Sequence, residues 1–469
     1  MEELDLLQVD CGRIVAPAGC GKTHLIMAAA RNNPEPKPLL ILTHTNAGVA
    51  ALRQRMEAIG IHHSKYRLMT LDGWALRLVN MFPSRSGYTG GPNPAQLNYD
   101  SIRQSTLNLL SGNHLNRIMN ANFCRMIVDE YQDCGVLQHD IVSESANLLP
   151  TCILGDPMQG IFNWPRSPSA DWENVVCRRF PLFGELTTPW RWNNVGNPAL
   201  GNWLLGVRQT LMKGQNITLA GAPASVRWIR LSGNAAQDRP LLINAARCPH
   251  KQVDDKTLII GDSMNAASRY NIAKSIPGII TIEPVSLKDM INYSRRLSQA
   301  NAVPVTLEFA ESMITNVGGS NILRRIETIN AGRNRTPPSD VETAALNLEG
   351  RPTLTGVANL LSACTNQTGS RTYRPRVLRA ALKALNLAIS EPSINLLEAA
   401  TRIREENRAV GRQLPNNAIG STLLLKGLES DHVVVLNAGE LDAKNLYVAM
   451  TRGAKSVTLC STANTFGGF

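Results

Sequence analysis

Residues 16–23 read APAGCGKT, that is Ala16, four residues, then Gly21, Lys22 and Thr23. This is the spacing of a phosphate-binding loop with alanine in place of its first glycine. GRIVAP before it is a short apolar run suited to a buried strand, and HLIMAAA after it suits a helix. A strand that turns through glycines into a helix aims several backbone N–H groups and the positive end of the helix dipole at one point. On this reading Ala18, Gly19, Cys20 and Gly21 line a phosphate cradle, Lys22 reaches the β and γ phosphates of a nucleotide, and Thr23 holds Mg2+. Taken alone, the loop specifies nucleotide binding and no particular reaction.

Further along, β-branched apolar runs recur as PLLILTHT, RMIVDE, TCILGD, KTLIIGD, HVVVLNAG and SVTLC, with helical stretches such as AGVAALRQRMEAI between several of them. Strands that alternate with helices imply βαβ units, hence parallel sheets covered on both faces. From about 285 to 415 the pattern changes to helix-like segments such as LKDMINYSRRL, SNILRRIETI and VLRAALKALNLAI. The expected fold is therefore α/β, with two parallel-sheet domains and an inserted, mostly α-helical subdomain.

Composition narrows the function. The 469 residues carry 48 Lys and Arg against 37 Asp and Glu, a net charge of +11, which favours an acidic polymer such as nucleic acid as partner. The nine cysteines form no CxxC pair, which fits a reducing compartment without a disulfide frame or zinc ribbon. MEELDLLQVD at the amino terminus is acidic, and no run of 18 apolar residues occurs. A cytoplasmic chain with no membrane association is expected.

RMIVDEYQDC (125–134) adds chemistry to the loop: a strand ending in Asp129 and Glu130 supplies one carboxylate for the metal and one to activate water. DEYQD together with APAGCGKT resembles the UvrD-like branch of the superfamily 1 helicases. The rest of that family's motifs have counterparts in order: LTHTNAGVAALRQRM (42–56), MTLDGWA (69–75), ILGDPMQGIFNW (153–164), LTTPWRWN (186–193), STLLLKGLESDHVVV (421–435) and LYVAMTRGAK (446–455). The resemblance implies two RecA-like domains with ATP and Mg2+ between them. We expect the first domain over 1–185 with a reduced insertion near 76–124, the second over 186–284 and 416–469, and the helical insertion over 285–415.

By the same resemblance, Lys22, Asp129, Glu130, Gln159, Arg191 and Arg452 are the catalytic group, with Thr23 and Asp129 at the metal. Arg191 and Arg452 would neutralise the γ phosphate, Gln159 would sense it, Trp190 would stack on the adenine, and Glu429 would contact the ribose. Thr45 and Asn46 are candidate DNA-phosphate contacts or helix caps, Phe162 and Trp164 candidate base-stacking rings, and Trp74 a further nucleic-acid candidate. Cys20, inside the loop, is expected to be alkylated at a cost to hydrolysis, with bound nucleotide protecting it.

The implied activity is that of an ATP-dependent single-stranded DNA translocase or helicase of 3′ to 5′ polarity, acting on single-stranded or tailed DNA. Some positions depart from the pattern: Leu423 and Asp72 stand where the family commonly has histidine, and His44 where it has a stacking phenylalanine. The insertions are also short. A narrower resemblance, to the helicase subunit of Gabija-type anti-phage systems, implies an OLD-family nuclease as protein partner. The alternative reading is a DNA-stimulated ATPase that regulates such a partner with little unwinding of its own. The basic tract RTYRPRVLRAALK (371–383) is either a partner or duplex surface or a solvated charged face.

Overall fold

The computed structural model describes residues 4–90, 97–112, 115–162, 168–409 and 415–468. Its strands, in chain order, are β1 (Cys11–Val15), β2 (Leu39–Thr43), β3 (Tyr66–Thr70), β4 (Arg125–Val128), β5 (Thr151–Gly155), β6 (Leu182–Glu185), β7 (Ile217–Thr218), β8 (Val226–Arg230), β9 (Thr257–Ile260), β10 (Ile280–Thr281), β11 (Ile314–Thr315), β12 (Arg371–Thr372), β13 (Asn417–Gly420), β14 (Ser430–Val435), β15 (Gly453–Ser461) and β16 (Thr465–Phe466). The chain divides into two compact units: Met1–Asn234 with Lys426–Phe469, and Ala235–Leu425.

In the first unit, β3-β2-β4-β5-β1-β6 form one parallel sheet. Successive strand residues point to opposite faces, and the cores record it. Leu40 and Leu42 of β2 join Trp74, Leu78, Met126, Val128 and Ile153 on one face, while Leu39 and Ile41 join Ile14, Ile26, Ile127 and Leu154 on the other. Two buried faces explain why these strands read as unbroken apolar runs. Because all six strands run the same way, the segments that follow them emerge along one edge of the sheet. Those segments are the phosphate-loop stretch after β1, THTN after β2, DEYQD after β4, GDPMQ after β5 and the TTPWRW stretch after β6. A parallel set β14-β15-β8 belongs to the same unit, and its helix Ala443–Met450 leads into Arg452.

In the second unit β10, β13 and β9 pair in parallel. The remainder is helical: Lys288–Arg296, Ala302–Glu311, Gly319–Asn330, Asp340–Gly350, Leu354–Asn366, Pro375–Ser390 and Leu396–Ala409. Leu307, Leu348, Leu360, Leu361, Leu385 and Ala399 lie in their common core. Parallel sheets flanked by helices, with a helical block between β10 and β13, are the α/β fold class the sequence implies.

The basic tract 371–383 is largely internal. Arg371 donates to the carbonyls of Ala273 and Lys274, Arg374 pairs with Glu283 and Asp289, and Arg376 donates to Asn407. Arg379 and Lys383 are exposed, so as a partner or duplex surface the tract is reduced to two cations. Among the described residues no helix is long and apolar enough to cross a membrane.

Candidate nucleotide site

Ala16 continues the β1 strand by donating its N–H to the carbonyl of Gly155 at 2.9 Å, and its backbone is not in the positive-φ region, so alanine serves where the motif usually has glycine. The turn proper needs glycine: Gly19 and Gly21 have φ of +71° and +93°, and a Cβ on Gly19 would meet the Trp192 ring at 2.6 Å. The helix Lys22–Asn32 starts at Gly21. Lys22 Nζ lies 2.9 Å from Asp129 and also pairs with Glu130. Glu130 is a non-glycine residue at φ +54°, an uncommon backbone that turns its carboxylate from the strand end towards the loop. Its second oxygen accepts from Gln132, whose amide oxygen in turn accepts the Asp156 N–H at 3.1 Å.

Burial and these neighbours set the charges. Burial opposes the Lys22 charge, but the two carboxylates hold the ammonium above its ordinary range. Burial pushes Asp129 up. Glu130, which burial alone would raise, is pulled down to about 2 by Lys22 and Lys426. A carboxylate held this low is ionised but weakly basic, and its basicity would rise once Lys22 turned away to a phosphate.

Arginines close the site from another stretch of the first unit. The backbone N–H of Arg191 donates to Gly19 O at 3.0 Å, and its guanidinium pairs with Glu429 and the carbonyl of Thr451. Arg452 is buried, and its guanidinium donates to the carbonyls of Val448 (2.8 Å) and Leu428 (3.4 Å) and to the Thr451 hydroxyl (3.0 Å). Burial and the nearby Arg191 lower its pKa to about 10. Among the described residues its hydrogen-bond partners are neutral, with the Glu429 and Glu130 carboxylates nearby, and a buried cation so placed is suited to receive an anion. Tyr447, from the helix that leads to Arg452, accepts the Ala18 N–H through its hydroxyl at 3.2 Å. The ring of Trp190 is half exposed and lies against the loop, where a Cβ on Gly21 would meet it at 3.1 Å.

Residues 92–175, the stretch that holds DEYQDC and ILGDPMQGIF, match the family model for the UvrD/REP helicase N-terminal domain. Over this stretch the chain is similar to the UvrD-like helicases. Solved structures similar to it include Pif1 helicase from Candida albicans, at 11% identity and TM-score 0.39, covering 98% of this chain and 93% of that one. Another is the arterivirus nonstructural protein 10 helicase in complex with DNA, at 9% identity and TM-score 0.31. That match covers 96% of this chain and 60% of the viral protein, so the chain spans under two thirds of its length. No curated protein sequence matches the chain.

Of the nucleic-acid candidates read from the sequence, Thr45 and Asn46 are exposed at the start of the helix Asn46–Ala58, where the Thr45 hydroxyl caps Gly48 N at 3.0 Å. Phe162 is half-buried with Lys426 Nζ 4.6 Å from its ring centre. Trp164 lies outside the described residues. Trp74 corrects the sequence reading: it is 2% exposed in the core beneath β2 and β4, so its ring packs against apolar side chains and presents no face to a base. Cys20 corrects another: the thiol is buried, and burial together with Asp156 pushes its pKa to about 12, so it is neither accessible nor ionised at neutral pH. Asp72, in the histidine position, holds Arg103 through both carboxylate oxygens (2.8 and 2.7 Å) and accepts from Gln138 at 2.9 Å.

Sequence reasoning missed several members of the site. The buried pair Arg208–Asp156 (3.0 Å) anchors the GDPMQ turn, where Asp156 caps Met158 N and accepts from Gln159 Nε2 at 3.2 Å. Lys426 pairs with Asp133 and donates to the carbonyl of Gln159. Lys426 and Asp133 sit inside KGLE and DEYQD, and their charges are the signal that could have found them. Arg208 lies in an ordinary amphipathic helix and gives no such signal.

Proposed function

We propose that the chain is an ATP-driven translocase on single-stranded DNA, with 3′ to 5′ helicase activity on tailed duplexes, and that hydrolysis uses Lys22, Asp129, Glu130, Gln159, Arg191 and Arg452. The observation that carries this reading is the convergence of these groups. Lys22 contacts both carboxylates, Arg191 is bonded through its backbone to the loop, and Arg452 lies buried beside Arg191.

Divalent magnesium fits the donor set, with Thr23 and Asp129 to hold it, and when bound it would supply charge neutralisation between the phosphates. The chain's own groups do the rest. The loop N–H groups and Lys22 bind the polyphosphate, and Glu130, freed of Lys22 when the lysine turns to the phosphates, takes the proton of the attacking water. Arg191 and Arg452 offset the charge that spreads over the γ phosphate as the leaving group departs. Trp190 offers a half-exposed face for the base, and Glu429, held by Arg191, a carboxylate for the ribose. The net charge of +11 and the exposed Thr45 and Asn46 support a nucleic-acid strand as the second ligand.

The test is ATPase with and without a single-stranded oligonucleotide, followed by displacement from duplexes with 3′ or 5′ tails. Stimulation by the oligonucleotide and displacement from the 3′-tailed duplex are expected. Strong stimulation with no displaced strand would turn the reading to an ATPase that signals to a partner, and absence of stimulation would refute both.

A further inference from the structure

Lys426 is a buried lysine that the proposed hydrolysis does not use. Its side chain is 8% exposed, and its ammonium contacts both carboxylate oxygens of Asp133 and the carbonyl of Gln159 at 2.6 Å. The ring of Phe162 lies 4.6 Å from the same nitrogen, within cation–π range. A lysine ammonium has three donors and no acceptor, and two acceptor groups and one aromatic face surround this one.

These partners come from two irregular segments. Asp133 ends the 3-10 turn Tyr131–Asp133, which follows the carboxylates Asp129 and Glu130. Gln159 ends the 3-10 turn Pro157–Gln159, and Phe162 is three residues further on. Short turns have no long hydrogen-bond ladder of their own, so cross-contacts fix their relative position. If its role were stability alone, a well-packed apolar residue would serve as well as a buried ion pair. A charge that touches the γ-phosphate sensor's main chain, the end of the acidic segment and the base-stacking candidate at one point is suited to relay instead.

We propose that Lys426 is a positioning residue that couples nucleotide state to the grip on single-stranded DNA, by tying the Asp133 carboxylate, the Gln159 main chain and the Phe162 ring into one unit. This rests on the function proposed above. A nucleotide that shifts Gln159 would carry the ammonium with it, and with the ammonium the ring of Phe162.

Coupling between two ligands is reciprocal and is read as a ratio of affinities. The experiment measures the Kd for a fluorescent single-stranded oligonucleotide with and without a non-hydrolysable ATP analogue, on the full-length chain. In the wild type the two values should differ by about 5-fold or more. In Lys426→Met the ratio should fall to within about twofold of unity, and Lys426→Arg, which keeps the charge, should restore much of it.

A merely structural role would weaken both affinities together and leave the ratio alone. Asp133→Asn, of the same size, tests the pair from its other side should Lys426→Met fold poorly, with melting temperature as the check on folding. A wild-type ratio retained in Lys426→Met or in a folded Asp133→Asn would overturn the coupling while the translocase reading stood. A wild type that binds no single strand would overturn both.

Discussion

Replacing Arg208 by methionine should damage the site from a distance. Arg208 and Asp156 form an ion pair at 3.0 Å with side chains 5% and 0% exposed, so solvent screens it little. Methionine keeps much of the volume but leaves the Asp156 carboxylate buried without its cation. Losing one partner of such a pair costs about 3–5 kcal/mol, or roughly 6–20 °C in melting temperature for a unit of this size. Asp156 is also the acceptor for Gln159 Nε2 and the cap of Met158 N, so ATPase should drop with stability. The assay is a thermal melt and a urea titration of Arg208→Met, Asp156→Asn and the double variant. With both charges gone, the double variant should lie more than about 1 kcal/mol closer to wild type than the sum of the single losses. A single-variant loss under about 1 kcal/mol, or strict additivity, would refute the idea that this pair holds the GDPMQ turn.

Other outcomes follow from the same geometry. Alanine at Arg191 or Arg452 should reduce single-strand-stimulated ATPase by about 10³–10⁵, as measured by phosphate release. Trp74→Ala should cost about 3–5 kcal/mol in a denaturant melt and leave oligonucleotide affinity per folded molecule unchanged, as expected for a core ring rather than a stacking one. Cys20 in the native chain should resist a thiol-alkylating reagent at neutral pH with or without nucleotide, measured by peptide mass mapping. Burial lowers the His44 pKa from 6.5 to about 4, so between those values the unfolded chain binds the extra proton. That part of the stability is present above pH 6.5 and is lost as pH falls towards 4, and His44→Gln should flatten this slope in melts across the window.

Much of this architecture was readable from the sequence because its strands are buried on both faces. GRIV, LLILT, RMIV, TCILG, TLII, HVVV and SVTLC are continuous apolar runs, and each became a strand. Among the strands that escaped notice, β6 (LFGE) is largely exposed, β8 (VRWIR) is mostly exposed and mixes charge with apolar residues, and β13 (NAIG) is buried but too short to stand out. The segments at strand ends were legible because glycine turns and paired carboxylates are demanded by the chemistry they serve. Burial of single aromatics and thiols was not. Trp74 and Cys20 stand in motif-like contexts, and whether a ring or thiol faces solvent depends on helices and arginines far away in the chain. The Arg208–Asp156 and Lys426–Asp133 pairs, 52 and 293 residues apart, are legible only once the sheet has brought their segments together.

The most direct measurement is a crystal structure with a transition-state mimic of ATP and Mg2+. Both guanidinium groups, Arg191 and Arg452, should lie within hydrogen-bond distance, about 3 Å, of the γ-phosphate mimic, with Lys22 turned from Asp129 and Glu130 to the phosphates. A nucleotide bound in the loop with both arginines still engaged only with Glu429, Thr451, Val448 and Leu428 would contradict this arrangement.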